Sequence, residues 1–389
     1  MSGDGVGGDT GAARARTRGA ACAACAACRR RSWLLAELSP ILDLNCRADG
    51  RLFDLLALGD DELVQALGGR RRAELRQRYA SFRVSPPPRS EEVAELCMHD
   101  ERYPRELSAA GICPLLHVVG GLERLHELTR RPIVAIVGTH HASDYGRAVA
   151  SDLARGLAAS GVTVAGLLSG GVASAALAGA LEGGGGTLTV AGSGLDVTPA
   201  VRLRALRNQV MHGGCAMSAL ACGVDGRRWG VASAERTLVA LAAVTLVVEA
   251  HERPRELAAA GVARSLGRTV AAIPGRVTSP AASGCHALLR DDARLVSDAT
   301  DVLELLYEAG RPVAARAAQP VSDQPLAELE PRLRAVLERV GAGEDTPGRL
   351  AKEPDDAAEV LRALGELELL GLLSRGDGGR YVVRTSVRQ

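Results

Sequence analysis

The sequence predicts an α/β protein whose main domain is a doubly wound parallel sheet, with a small N-terminal helical module and a C-terminal winged-helix-like module. Three observations carry this. Between residues 133 and 273, short β-branched runs are apolar throughout instead of alternating, as strands covered on both faces are. Ala/Leu-rich segments of helical period separate those runs, the order expected of a parallel sheet with crossover helices. The chain has 389 residues, 47% hydrophobic and 24% charged, enough for a sizeable core and more than one domain.

Residues 1–31 read as a disordered, low-complexity leader with six Arg, two Asp and almost no large apolar side chains. Within it Cys22, Cys25 and Cys28 recur at every third position. That spacing can ligate a metal, but no fourth ligand stands nearby in the sequence, so no metal is expected. The remaining cysteines lack paired spacing, and no disulfide framework is expected either. Residues 32–95 alternate short apolar stretches with polar breaks and end at Ser85–Pro88, a small helical module closed by a run of prolines.

The central domain occupies residues 96–310. Its expected strands are Ile133–Val137, Val162–Ala165, Leu188–Val190, Thr245–Val248 and Thr269–Ile273. Its expected helices are Tyr145–Ala159, Val172–Leu181, Val201–Met211, Ala232–Ala242 and Arg255–Leu266. Residues 311–325 form an Ala/Pro-rich linker. Residues 326–389 give the helix, helix, β-wing order of a winged helix, with helices over Leu329–Val340 and Asp355–Leu370 and strands at Leu372–Ser374 and Tyr381–Arg384 around a Gly turn. This module holds nine Arg and one Lys against twelve Asp and Glu. Its would-be recognition helix is acidic and repels phosphate, which favours protein contact or dimer support over DNA reading.

Across the chain, 47 Lys+Arg stand against 46 Asp+Glu, a net charge of +1. A uniformly cationic coat for nucleic acid is excluded, and any anion-binding surface must be local. Aromatics make up 2% of residues, too few for rows of base-stacking rings. Lys352 is the only lysine. The positive charge is therefore almost all arginine, suited to bidentate phosphate contacts, although genomic composition produces the same usage. No stretch approaches the ~18–20 apolar residues of a membrane helix, and no signal-peptide core opens the chain. A cytoplasmic protein without membrane contact is expected.

Chemistry should sit in the loops where strands give way to helices. Over Val134–Gly146 a buried strand stops at Gly138 and Ser143 is placed to cap the next helix. Backbone N–H groups at Gly138 and Thr139 and the helix dipole then make an anion site, although the same arrangement also serves as a plain tight connection. A second Gly-rich element, Ala191–Asp196, follows another strand and carries Gly192 and Gly194. It lacks the third Gly of a dinucleotide fingerprint, and no acidic residue follows the first strand at the expected distance. No cofactor is expected. Arg202 and Arg204 come next, near a helix start, as phosphate contacts or as a solvated helix face. Neighbouring His140 and His141 should point apart, with no carboxylate or cysteine at ligand spacing. His99, His117, His126, His212, His251 and His286 stand isolated, and Asp196 reads as a loop brace. No nucleophile lies beside a base, so no catalytic residue is assigned.

Taken in order, these segments resemble the DNA-processing protein A family (DprA, also called Smf) over residues 100–310. Tyr103, Pro104 and Leu107, then Cys113–Leu116 and Gly120, resemble the family's opening segment, and Val137–Gly146 resembles its VGxRxxSxYG loop. Gly194–Asp196, Arg236, Val247–Ala250, Gly267–Arg268, Ile273–Gly275, Gly284–Cys285 and Leu288–Leu289 fall where the family has similar motifs. The resemblance implies a Rossmann-like domain that forms a homodimer, binds single-stranded DNA in a positively charged pocket, protects it, and loads a RecA-type recombinase in natural transformation. It adds His140, Arg236 and Gly275 to the expected phosphate-binding residues.

The departures thin that pocket. His140 stands where the family has Arg; the SGxxxGIDxxxH segment loses its Ser, Asp and His; the RNR triplet becomes Ala234-Glu235-Arg236. Pro254-Arg255 and Ala259-Ala260 replace a Ser-Gly and a Thr-Ala. Each lost charge-assisted hydrogen bond or added like charge is worth about 1–3 kcal/mol when desolvated. Two other readings follow: a nucleotide-processing enzyme on a similar fold, or a dimerising scaffold that has lost its ligand.

Overall fold

The computed structural model describes residues 24–46, 51–82, 93–110, 114–253, 255–311, 330–342, 344, 346–351, 356–370, 372–375 and 381–383. Cys22, Cys113, the Ser85–Pro88 boundary, nearly all of the expected linker and the Gly turn at 376–379 lie outside the described residues. The chain forms two units, Met1–Ala317 and Ala318–Gln389.

The first unit opens with α1 (Ala26–Asn45), α2 (Arg51–Ala57), α3 (Asp60–Leu67) and α4 (Arg72–Ala80). Helix α1 begins inside the stretch expected to be a disordered leader. Leu34, Leu35, Leu38 and Leu42 are buried along one face at helical spacing, and the alanines ahead of them enter a helix at little cost. Arg29 and Arg31, which looked like free leader charges, pair with Glu95 at 2.6 Å and Asp60 at 2.5 Å.

The sheet follows: β1 (Ala94–Cys97), α5 (Arg105–Ala109), β2 (Leu115–Val119), α6 (Leu122–Arg130), β3 (Ile133–Val137), α7 (Asp144–Ala159), β4 (Thr163–Leu167), α8 (Val172–Glu182), β5 (Gly186–Val190), α9 (Val201–Gly213), β6 (Cys215–Ser218), α10 (Arg227–Leu241), β7 (Val244–Val247), α11 (Ala258–Ser265), β8 (Thr269–Ala272), α12 (Ser283–Arg290), β9 (Arg294–Leu295) and α13 (Ala299–Glu308). The nine strands lie in the order β1-β2-β6-β5-β4-β3-β7-β8-β9. From β6 to β9 all neighbours are parallel, with Val134 opposite Val244 and Val164 opposite Thr187. β2 and β1 add an antiparallel edge. That edge and β6 were not expected: β1 and β6 are four-residue strands of mixed side chains with no clear period, and in β2 His117 interrupts the apolar run.

The unbroken apolar runs have the predicted cause. Val134 and Ile136 face Ala150, Leu153 and Leu157 of α7 and Val302 and Leu305 of α13. Ala135 and Val137 face the opposite way, into a core with Leu238 of α10 and Ala260 of α11. Burial of each such Val, Leu or Ile side chain stabilises by about 1.5–3 kcal/mol. The N-terminal helices dock on this second face: the indole N–H of Trp229 donates to the Ser39 hydroxyl at 2.8 Å, and the Arg228 amide donates to Asp43 at 2.7 Å.

The second unit contains α14 (Pro331–Gly341), α15 (Pro347–Leu350), α16 (Ala357–Leu369) and an antiparallel pair, β10 (Leu373–Arg375) and β11 (Tyr381–Val383). Leu333, Leu337, Leu350, Leu364, Leu367 and Tyr381 form its core. Glu359 and Glu368 stay exposed on α16.

Candidate functional site

The chain runs from β3 to β4, β5 and β6 in one direction across the sheet, then returns to place β7 on the other side of β3. Loops leaving β3 and β7 therefore diverge, and a crevice opens between them at the strands' carboxyl ends. A cavity of about 440 Å³ lies there. Gly138, His140 and His141 line it from the loop after β3, Ser169 from the loop after β4, Arg202 from α9, Glu235 from α10, and Arg253, Arg255 and Glu256 from the loop after β7.

The floor is tightly built. The Thr139 amide donates to the Glu249 carbonyl at 2.7 Å, and the Val172 amide donates to the Thr139 carbonyl at 3.2 Å. Gly171 makes this approach at φ +72, and a Cβ there would fall 2.1 Å from the Thr139 carbonyl oxygen. Ser143 does cap α7: its hydroxyl accepts from the Gly146 amide at 3.0 Å. That hydroxyl also donates to the Glu249 carboxylate at 2.8 Å, as does the Ser143 amide at 2.8 Å. The anion at this helix N-terminus is thus the protein's own buried carboxylate. The Thr139 amide, expected to cradle phosphate, and the amide and hydroxyl of the capping Ser143 are spent inside the fold.

The other expected residues divide sharply. Neither Gly192 nor Gly194 lines the cavity. The Gly194 amide donates to the Val224 carbonyl at 2.8 Å, and α10 packs so close to Gly192 that a Cβ on Gly230 would lie 2.0 Å from the Gly192 carbonyl oxygen. Asp196 braces this loop by accepting from the Gly223 amide at 2.8 Å. Arg236 points to the helical module, stacking 4.4 Å from the Phe53 ring centroid and donating to the Ala110 carbonyl at 3.2 Å. Gly275 accepts from the His286 ring at 3.0 Å and packs on Ala282. Arg204 is exposed on α9 but is not a cavity residue. Of the expected phosphate ligands, Gly138, His140 and Arg202 reach the cavity.

Several cavity residues belong to no motif in the sequence. Arg253 was not singled out, and Arg255 entered only as the replacement of a lost Ser-Gly. Yet two arginines in a strand-to-helix loop at the end of a buried parallel strand are a legible sign of an anion site. His140 and His141 were expected to point apart, but both line the same cavity.

The electrostatics are mixed. Arg202 and Arg255 have no hydrogen bond or ion pair among the described residues. Partial burial holds His140 below its ordinary pKa, with Arg255 and His141 adding to the effect, which favours the uncharged ring. Burial pushes the Glu235 carboxyl up to about 7 against the pull of Arg255. Burial alone would raise Glu256 too, but hydrogen bonds from the His251 amide and ring, at 2.9 and 3.1 Å, outweigh it and hold the carboxyl below its usual range.

Residues 94–307 match the model of the family described as DNA recombination-mediator protein A. The chain belongs to this family. Among curated relatives of this DNA recombination-mediator protein A member, the putative DNA processing protein DprA of Mycobacterium tuberculosis is 35% identical over 292 residues, covering 72% of this chain and 71% of the relative. The DNA processing protein DprA of Streptococcus pneumoniae is 31% identical over 252 residues, covering 64% and 86%. The X-ray structure of the Streptococcus pneumoniae protein superposes with a TM-score of 0.56 at 25% identity, covering 71% of this chain and 95% of that one. The described residues contain no helix long and apolar enough to cross a membrane.

Proposed function

We propose that this chain is a DNA-processing protein that binds single-stranded DNA at the β3/β7 crevice, without catalysing a reaction, and acts as a recombination mediator. The observation that carries this reading is the convergence of Arg202, Arg253 and Arg255 on one cavity at the strand crossing. Guanidinium groups there present planar donor forks to phosphate oxygens. Arg255 supplies from the β7–α11 loop the positive charge that His140 does not. The thinned pocket of the sequence is on this view partly rebuilt from another loop. The proposal extends to protection of DNA, homodimer formation and hand-over to a RecA-type recombinase, which the family membership supports, and the acidic α16 suits the C-terminal unit to protein contact instead of phosphate.

A fluorescence-anisotropy titration of labelled single-stranded oligonucleotide at several salt concentrations tests the reading. Saturable binding whose affinity falls steeply with salt is expected. A cavity of this size also fits a small ligand. Absence of oligonucleotide binding at low salt, together with a melting shift caused by a mononucleotide, would replace the mediator reading with the enzyme one.

A further inference from the structure

The three-residue cysteine spacing near the N-terminus acquires in the fold what it lacks in the sequence. Cys25 is the N-cap of α1, its sulfur accepting from the Cys28 amide at 3.5 Å. Cys97 ends β1, and His99 follows in the turn closed by the Asp100 amide on the Cys97 carbonyl at 2.9 Å. The three sulfurs and one imidazole nitrogen all lie within 4.8 Å of one another. His99 Nδ1 stands 3.5 Å from Cys25 Sγ, 3.5 Å from Cys28 Sγ and 4.0 Å from Cys97 Sγ.

Hydrogen bonds among these groups are weak, because a thiol is a poor donor and a poor acceptor. One imidazole nitrogen donates or accepts a single hydrogen bond, which explains one sulfur and not three. A cation at the centre explains all of them. Tetrahedral zinc with Zn–S about 2.3 Å and Zn–N about 2.0–2.1 Å sets nitrogen and sulfur about 3.6 Å apart and two sulfurs about 3.8 Å apart. A cluster of several irons would spread its ligands further. A Cys-x-x-Cys dithiol at a helix start also suits redox chemistry, but that leaves Cys97 and His99 without a purpose.

We propose that Cys25, Cys28, Cys97 and His99 form a closed Cys₃His zinc site that fastens the N-terminal helix to the antiparallel edge of the sheet. Cys28 and Cys97 are buried while His99 is exposed, so the ion has a path in. Beside the site Arg29 and Glu95 join the same two segments at 2.6 Å, which places the ligands before metal arrives. Four ligands leave no open position for water, so the role is structural.

The test is elemental analysis of the full chain purified without chelator, with cobalt(II) exchange as the optical readout. About one zinc per chain is expected, with thiolate charge-transfer and tetrahedral d–d bands on cobalt substitution. C97S combined with H99A should lower zinc content to below about a tenth per chain, while C46S at the far end of α1 leaves it unchanged. Should the double variant fail to fold, alkylation of the wild-type chain decides: zinc should shield Cys25, Cys28 and Cys97 and leave Cys222 unshielded. Metal-free protein that takes up no cobalt, a Cys25–Cys28 disulfide, bound iron, or zinc retained in the double variant would each overturn the proposal.

Discussion

The loop after β3 and the loop after β5 each leave a parallel strand through glycine and lead towards a helix, yet only the first opens onto the cavity. After β5, Gly192 and Gly194 let α10 and the segment before it close over the strand end, and the Gly194 amide is taken by Val224. After β3, the glycine contacts form a floor, and His140 and His141 stand above it. In both loops an amide near the strand end is taken up inside the fold, Thr139 by the Glu249 carbonyl and Gly194 by the Val224 carbonyl. Glycine here marks close backbone approach, and the positive charge at the cavity comes from side chains of other elements, Arg202, Arg253 and Arg255.

That contrast can be broken first at the closed loop. Gly230→Ala places a Cβ 2.0 Å from the Gly192 carbonyl and should destabilise the fold by about 3 kcal/mol, the upper end of overpacking costs, as measured by denaturant unfolding. A wild-type midpoint would show that the loop is open enough to hold a ligand after all.

The floor of the open loop comes next. Glu249→Gln leaves the Ser143 amide or hydroxyl facing an amide group in place of a carboxylate oxygen. A loss of about 1–3 kcal/mol is expected, read as a melting temperature lower by a few degrees. An unchanged melting temperature combined with weaker DNA binding would mean that Glu249 serves the ligand instead of the fold.

The acid in the cavity gives a smaller effect with a defined sign. Glu235 ionises as pH rises through about 7 and then opposes phosphate. Affinity for single-stranded DNA should fall about fivefold across that step, equivalent to about 1 kcal/mol, and Glu235→Gln should flatten the profile. Stability follows the same proton: a carboxyl raised from 4.5 to about 7 contributes stability below pH 4.5 that is lost as pH rises through 7. Glu235→Gln should therefore gain over wild type at pH 8 and lose that gain at pH 5. Equal pH profiles would remove Glu235 from the site. The smallest effect belongs to Arg204→Ala, whose side chain is not in the cavity, with affinity expected within about twofold of wild type.

The doubly wound sheet was legible because buried parallel strands have no polar face to blur the signal, as Ile133–Val137 shows. The β1–β2 edge and β6 were not legible, since their pairing is fixed by neighbours distant in sequence. Helix α1 was misread for a related reason. Its first turns are alanine, arginine and cysteine, and only Glu95, Asp60 and Cys97, supplied by other elements, reveal a folded segment. At the site, motif position pointed to the strand end at Gly138, which borders the cavity. Motif loss drew attention to what His140 and Glu235 had replaced and away from Arg253 and Arg255, which no local pattern links to Arg202. Arg236, kept in register with the family motif, turned out to bind the helical module.

The central claim is that arginines converging at the β3/β7 crossing, and not the glycine loops, hold the DNA backbone. Single-strand affinity measured across a salt series for wild type, R202A/R255A and R204A/R236A tests it most directly. The account predicts that R202A/R255A loses about 10–100-fold in affinity, each charge-assisted contact being worth about 1.5–3 kcal/mol before partial compensation by the rest of the site. It also predicts that the salt slope falls by about 1.4, the share of two phosphate contacts on a single strand, while R204A/R236A keeps the wild-type slope. A wild-type slope for R202A/R255A, with the loss appearing in R204A/R236A instead, would contradict it.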